Sequence, residues 1–142
     1  MLEVFWKKIG SKVDIMEAKQ HDYILSITSH MPHLIAYNVV NTSLNIQDEK
    51  ESVIVKYSAG GLRDFTRIAA SNPIMWRDIF IQNKKNTSQM IDKFIEDLED
   101  LKKAIENEDG KKLEEIFTKT KQIRKEIVEA GQDVKKPDFG RK

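Results

Sequence analysis

The sequence predicts an all-α fold. Apolar residues recur at helical spacing through most of its second half. Met90, Ile91, Phe94, Ile95, Leu98, Leu101, Ala104 and Ile105 form one stripe, and Leu113, Ile116, Phe117, Ile123, Ile127 and Val128 form another. Spacings of this kind line one face of a 3.6-residue helix. Proline is scarce: there are three in 142 residues and none between Pro73 and Pro137, so nothing in that span removes a helical donor. The stripes stop at residues that punctuate helices: Gly10, Asn72-Pro73 and Asn107-Glu-Asp-Gly110.

Taken in order, Leu2 to Ile9 is a short amphipathic helix, with Gly10 placed as its C-terminal cap. Lys12-Val-Asp-Ile-Met16 alternates polar and apolar, as a half-buried strand does. One strand cannot make a sheet, so it either pairs with a symmetry mate or borders a preceding domain. HDYILSITSHMPHLIAYNVV, from His21, leads into an apolar helix. Pro32 within it deletes one donor and frees the carbonyl of Thr28; a kink there would splay the turn carrying Ser29, His30 and His33 toward a cavity. In ESVIVKYSA, the SVIVKY run reads equally as helix or short strand. Gly60-Gly61 ends that region. Asn72 then caps a helix with Pro73 in its first position, and Ile74, Met75, Ile79 and Phe80 give its apolar face. The two long stripes, joined by a short Asp-Gly turn, form an antiparallel hairpin. After Gly131 the chain is polar, QDVKKPDFGRK.

About a third of the residues are charged, and the formal net charge is +1. That balance supplies no field to attract nucleic acid or an anionic membrane. Without cysteine, disulfides and thiolate metal sites are excluded. The N-terminal apolar run is too short for a signal peptide, and no window approaches the roughly 20 apolar residues of a membrane span. A soluble cytoplasmic protein is the expectation. Neither GxGxxG nor a Walker loop occurs, so the chain has no recognisable phosphate cradle. The lysine pairs at 84–85, 102–103 and 111–112 alternate with acids and read as solvated helix faces. The long stripes hold more apolar surface than one hairpin covers on itself, which predicts a homodimer.

Two clusters carry chemistry. His30 and His33 share a helical face, while His21 points away from His30. They either line a site or are part-buried and paired with backbone or water. A zinc site is disfavoured, because the pair lacks a third ligand and no HExxH occurs; no metal is expected. In GGLRDFTRIAASNPIMWRD, residues 60–78, Arg63 and Arg67 share a face and Asp64 is spaced to pair with Arg67. These are either surface ion pairs of little worth or an arginine fork for a carboxylate or phosphate.

HDYILSITSHMPHLIAY, followed by GGLRDFTRIAASNPIMWRDIFIQN, resembles the C-terminal domain of the prephenate dehydrogenases, with the related arogenate and cyclohexadienyl dehydrogenases. The likeness runs from about residue 3 to about residue 130. It implies a Rossmann-type nucleotide domain followed by a helical dimerisation domain, with the active site between them. Residues 1–18 would then be a helix-strand remnant of the last αβ unit of the nucleotide domain, 19–131 the substrate-binding and dimerisation domain, and 132–142 a tail. The glycine fingerprint and the family's catalytic histidine would lie upstream, so no catalytic residue is expected in this chain, and neither His30 nor His33 takes that role. The resemblance implies that Ser29, His30 and His33 line the substrate side of the cleft and that Arg67 binds a carboxylate of prephenate or arogenate. Asp64, Gly61 and Trp76 would support Arg67 and the helix after Pro73. NAD or NADP would serve the full-length enzyme, and this chain alone would bind neither and be inactive. The alternative is a non-enzymatic helical module that dimerises or senses a ligand.

Overall fold

A computed structural model describes residues 2–46 and 57–131. Among the described residues every regular element is helical. Helix α1 (Leu2–Lys8) ends as its sequence predicts. Gly10 has φ of 87°, the Gly10 N–H reaches the Lys7 carbonyl at 3.1 Å, and the Ser11 N–H reaches that of Trp6 at 3.0 Å. Those two bonds and a left-handed glycine constitute a Schellman cap. Residues 11–17 then form neither helix nor strand, and Ile15 and Met16 are exposed. The strand expected at Lys12–Met16 is therefore absent. Alternation makes a strand only where another strand completes its ladder, and none is present among the described residues. SVIVKY lies outside the described residues except for Tyr57, as does the tail from 132.

Helix α2 (Ala18–Leu25), a π-helical turn (Ser26–His30) and α3 (Met31–Ile46) run on without a break in winding. The π turn is the chain's answer to Pro32. The N–H of Met31 reaches back five residues to the Ser26 carbonyl, and the next residue has no N–H to give. A widened turn thus precedes Pro32, and it is this turn that carries Ser29 and His30.

Helix α4 (Gly60–Thr66) passes into a 3₁₀ turn (Arg67–Ala70) that packs on α3. The Tyr37 hydroxyl fastens this join by donating to the Ser71 carbonyl at 2.7 Å. Helix α5 (Pro73–Gln82) starts where Asn72 predicts: its Oδ1 accepts from the N–H of Ile74 at 2.9 Å and of Met75 at 3.1 Å. Helices α6 (Lys84–Glu106) and α7 (Gly110–Glu129) pack on each other as the predicted hairpin. At their turn the left-handed residue is Glu108, with φ of 53°, and Gly110 is already helical. Asp109 caps α7 by accepting from Lys112 N–H at 3.0 Å.

The interior is small. Among the described residues, Ala36, Trp76 and Ala104 are its buried apolar side chains, and Ser26, His30, Asn83 and Thr87 are buried as well. Large apolar side chains of every α-helix remain open: Leu2 is 76% exposed, Ile105 63% and Phe117 56%.

Candidate functional site

Three elements make the site. The π turn and the start of α3 supply His30 and His33, and α5 supplies Trp76 and Phe80. Trp76 is 6% exposed and His30 7%. The His33 ring stacks on the Trp76 indole, with centroids 3.7 Å apart and planes 23° from parallel. His30 meets Trp76 and Phe80 edge-on, at 6.2 and 6.4 Å. The two histidines are thus wedged against one aromatic wall.

Hydrogen bonds set each ring. His33 Nδ1 lies 2.9 Å from the Ser29 carbonyl. His30 Nδ1 lies 3.2 Å from Asn83 Nδ2. Burial pushes the His30 pKa below the ordinary 6.5; the carboxylate of Asp22 opposes this, while His21 and His33 add to the lowering. Burial and the neighbouring imidazoles thus favour the neutral ring of His30. His21 stays out of the cluster, exposed and 3.1 Å from Asp22 Oδ1.

Beside this wall an open groove of about 510 Å³ runs between α3 and α5. Leu34, Tyr37 and Asn38 line one side, and Pro73, Trp76 and Phe80 the other. Arg77 also borders it, with its Nε 2.8 Å from Asp78 Oδ1. The indole nitrogen of Trp76 is buried and has no hydrogen-bond partner among the described residues.

The residues singled out from sequence are not all brought together. His30, His33 and Trp76 meet, and Ser29 joins them through its carbonyl. Arg67 begins the 3₁₀ turn and is exposed. Among the described residues no hydrogen bond or ion pair joins it to either histidine. Its segment is nonetheless tied to α3 at Tyr37, one turn beyond His33. Asp64 binds Arg63 at 3.1 Å rather than Arg67. Adjacent side chains reached each other where an i, i+3 pair was expected, because α4 is ending at this point. Trp76 packs against the histidines rather than against Arg67. At Gly61 an added Cβ would meet only open space, so nothing among the described residues requires a glycine there. Among the described residues no group of three acidic or imidazole side chains could hold a metal ion, and no helix is long and apolar enough to cross a membrane.

The family described as prephenate dehydrogenase, dimerization domain, matches residues 17–119. The chain belongs to this family. Cyclohexadienyl dehydrogenase of Zymomonas mobilis is 39% identical over 120 residues, 84% of this chain and 41% of the relative. Prephenate dehydrogenase of Bacillus subtilis is 34% identical over 109 residues, 77% of this chain and 29% of the relative. Among solved structures, prephenate dehydrogenase of Aquifex aeolicus in complex with hydroxyphenyl propionate and NAD+ superposes with a TM-score of 0.82 at 39% identity, over 89% of this chain and 44% of that one. The chain therefore spans less than half the length of these dehydrogenases.

In this dimerization domain, the sequence placed Phe80 only on the apolar face of its helix and did not single out Asn83. Trp76, Phe80, Asn83 and Thr87 follow one another at spacings of four, three and four, a single helical face. Asn83 is 9% exposed, and Thr87 is buried beside it. Two polar residues continuing an aromatic face are a legible signal of a buried polar contact, although sequence does not name its partner.

Proposed function

We propose that this chain is the substrate-binding and dimerisation portion of a dehydrogenase acting on prephenate, the oxidative decarboxylation that yields 4-hydroxyphenylpyruvate. The observation that carries the reading is the His30–His33 pair set against Trp76 in a chain of this family. Support comes from the Aquifex aeolicus relative, which holds hydroxyphenyl propionate together with NAD+.

The chain's own residues bind and orient. Arg67, exposed and without an ion-pair partner among the described residues, offers a planar fork that takes a carboxylate through two parallel hydrogen bonds. The imidazoles of His30 and His33 give the ligand polar contacts, and Trp76 keeps them packed. Ser29 lies at the same turn and completes that wall. Arogenate, in which an amine replaces the keto group, is the competing substrate of the same site.

The residues present do not fit a dinucleotide. The glycine pair at 60–61 opens a seven-residue helix, and among the described residues no strand leads into a glycine-rich turn as a pyrophosphate cradle requires. NAD or NADP is therefore assigned to a domain outside these 142 residues, against which the exposed apolar side chains of α1 would pack. A second copy of the chain covers the exposed faces of the long helices, and the assembly works in the cytoplasm. The chain alone is inactive.

Calorimetric titration with hydroxyphenyl propionate tests the site. Weak binding is expected, lost in Arg67→Ala and reduced nearly as far in Arg67→Lys, which keeps the charge but not the fork. Equal binding by all three proteins, or none by the unaltered chain, overturns the reading.

A further inference from the structure

We propose that Asn83 is a positioning residue that holds His30 as the neutral tautomer protonated on Nε2. Asn83 ends α5 and opens α6, and its side chain crosses to the segment that carries the histidines. Its amide nitrogen lies 2.7 Å from the Asp22 carbonyl oxygen. A carbonyl only accepts, so the nitrogen end of the amide is identified. The opposite end agrees: Asn86 Nδ2 donates to Asn83 Oδ1 at 2.8 Å. With its orientation fixed from both sides, the amide has two hydrogens for two acceptors. One goes to Asp22, and the other goes to His30 Nδ1 at 3.2 Å. A ring nitrogen that receives a hydrogen has a bare lone pair, so the proton of neutral His30 sits on Nε2.

His33 is set the opposite way. Its Nδ1 faces the Ser29 carbonyl at 2.9 Å, which can only accept, so Nδ1 carries a proton and the neutral ring has its bare nitrogen at Nε2. The two neighbouring imidazoles therefore differ in what their Nε2 atoms offer: a donor from His30, an acceptor from His33. Protonating His30 would bring a second N–H against the Asn83 amide. Turning the amide to meet it would break the bonds to Asp22 and Asn86. The titratable groups acting on His30 are Asp22 and His21 from α2 and His33 from α3, with Asp22 alone favouring its charged form; Trp76 and Phe80 from α5 do not titrate. On the substrate-binding reading above, on which this consequence rests, His30 gives the ligand an uncharged N–H, and the charge opposing a carboxylate comes from arginine.

Long-range proton–nitrogen correlation of the imidazoles in the isotopically labelled 142-residue chain tests the assignment without a ligand. At pH 7, His30 should show a pyridine-type Nδ1 and a pyrrole-type Nε2, and His33 the reverse. Pyrrole-type Nδ1 in His30 would overturn the proposal. Asn83→Asp keeps the shape but can only accept, so it should raise the His30 pKa by about one unit or more and put a proton on Nδ1. Should that variant fold and His30 titrate as before, Asn83 has a merely structural role and the proposal fails. Should it not fold, the tautomers of the unaltered chain still decide. None of these readouts depends on ligand binding, so this inference and the proposed function fail separately.

Discussion

Around His30, four elements converge on a few polar and aromatic side chains, and every polar group of Asn83 finds a partner inside the chain. Helices α6 and α7 do the reverse. They are long and cleanly amphipathic, yet Ile95, Leu98, Ile105, Phe117, Ile123 and Ile127 on them stay exposed. The first region is packed within one chain, with the Trp76 indole nitrogen and the Thr87 hydroxyl left without partners among the described residues. The second has the sequence of an interior face and the surroundings of an outer one. Apolar faces of that extent are costly in water, so the contrast separates a part of the domain that packs within one chain from a part whose apolar faces this chain leaves open.

The sharpest way to break the contrast is to remove the wall of the first region. Trp76→Ala should cost about 3–5 kcal/mol in urea unfolding and release His33 from its stack. A loss near that of an exposed residue would mean that the wall is not part of the core. The second region answers to concentration instead. If a second copy covers it, unfolding should shift by about 1.4 kcal/mol per tenfold change in protein concentration, and light scattering should return a dimer. A melting temperature independent of concentration, with a monomer mass, would remove the contrast's explanation.

Mild acidity should act on the first region through His30. The folded-state pKa of His30 is lowered, so the unfolded chain takes up its proton first as pH falls. Stability from this group is complete above about 6.5, falls as pH drops below that value, and levels off once the folded histidine also protonates. His30→Asn should flatten this slope in pH-dependent melting. At the turn of the hairpin, Glu108→Gly should stabilise by roughly 0.5–1 kcal/mol, because a left-handed φ strains any residue with a Cβ. Arg67→Ala should have the smallest effect on folding, within about 0.5 kcal/mol, while abolishing carboxylate binding. A large loss of stability there would make Arg67 structural.

Sequence by itself determined the helices and their ends. Gly10, Asn72-Pro73 and the break at 107–110 act within a few residues of themselves, so local chemistry suffices to read them. Through a likeness spread over two long motifs it also grouped Ser29, His30, His33 and Arg67, and set Trp76 as a support for Arg67 rather than as the wall behind the histidines. The tertiary structure decided what those residues touch. Whether Asp64 meets Arg63 or Arg67, and whether Asn83 reaches His30 from 53 positions away, depends on how separate helices lie against each other. Pro32 shows both sides. Its missing N–H was plain in the sequence, but a kink and a widened turn both accommodate it. The turn that brings His30 inward is settled by packing, because the aromatic wall of α5 and the amide of Asn83 stand where that turn delivers the ring. Lys12–Met16 shows the same limit: alternation describes one strand, and a strand exists only with a neighbour.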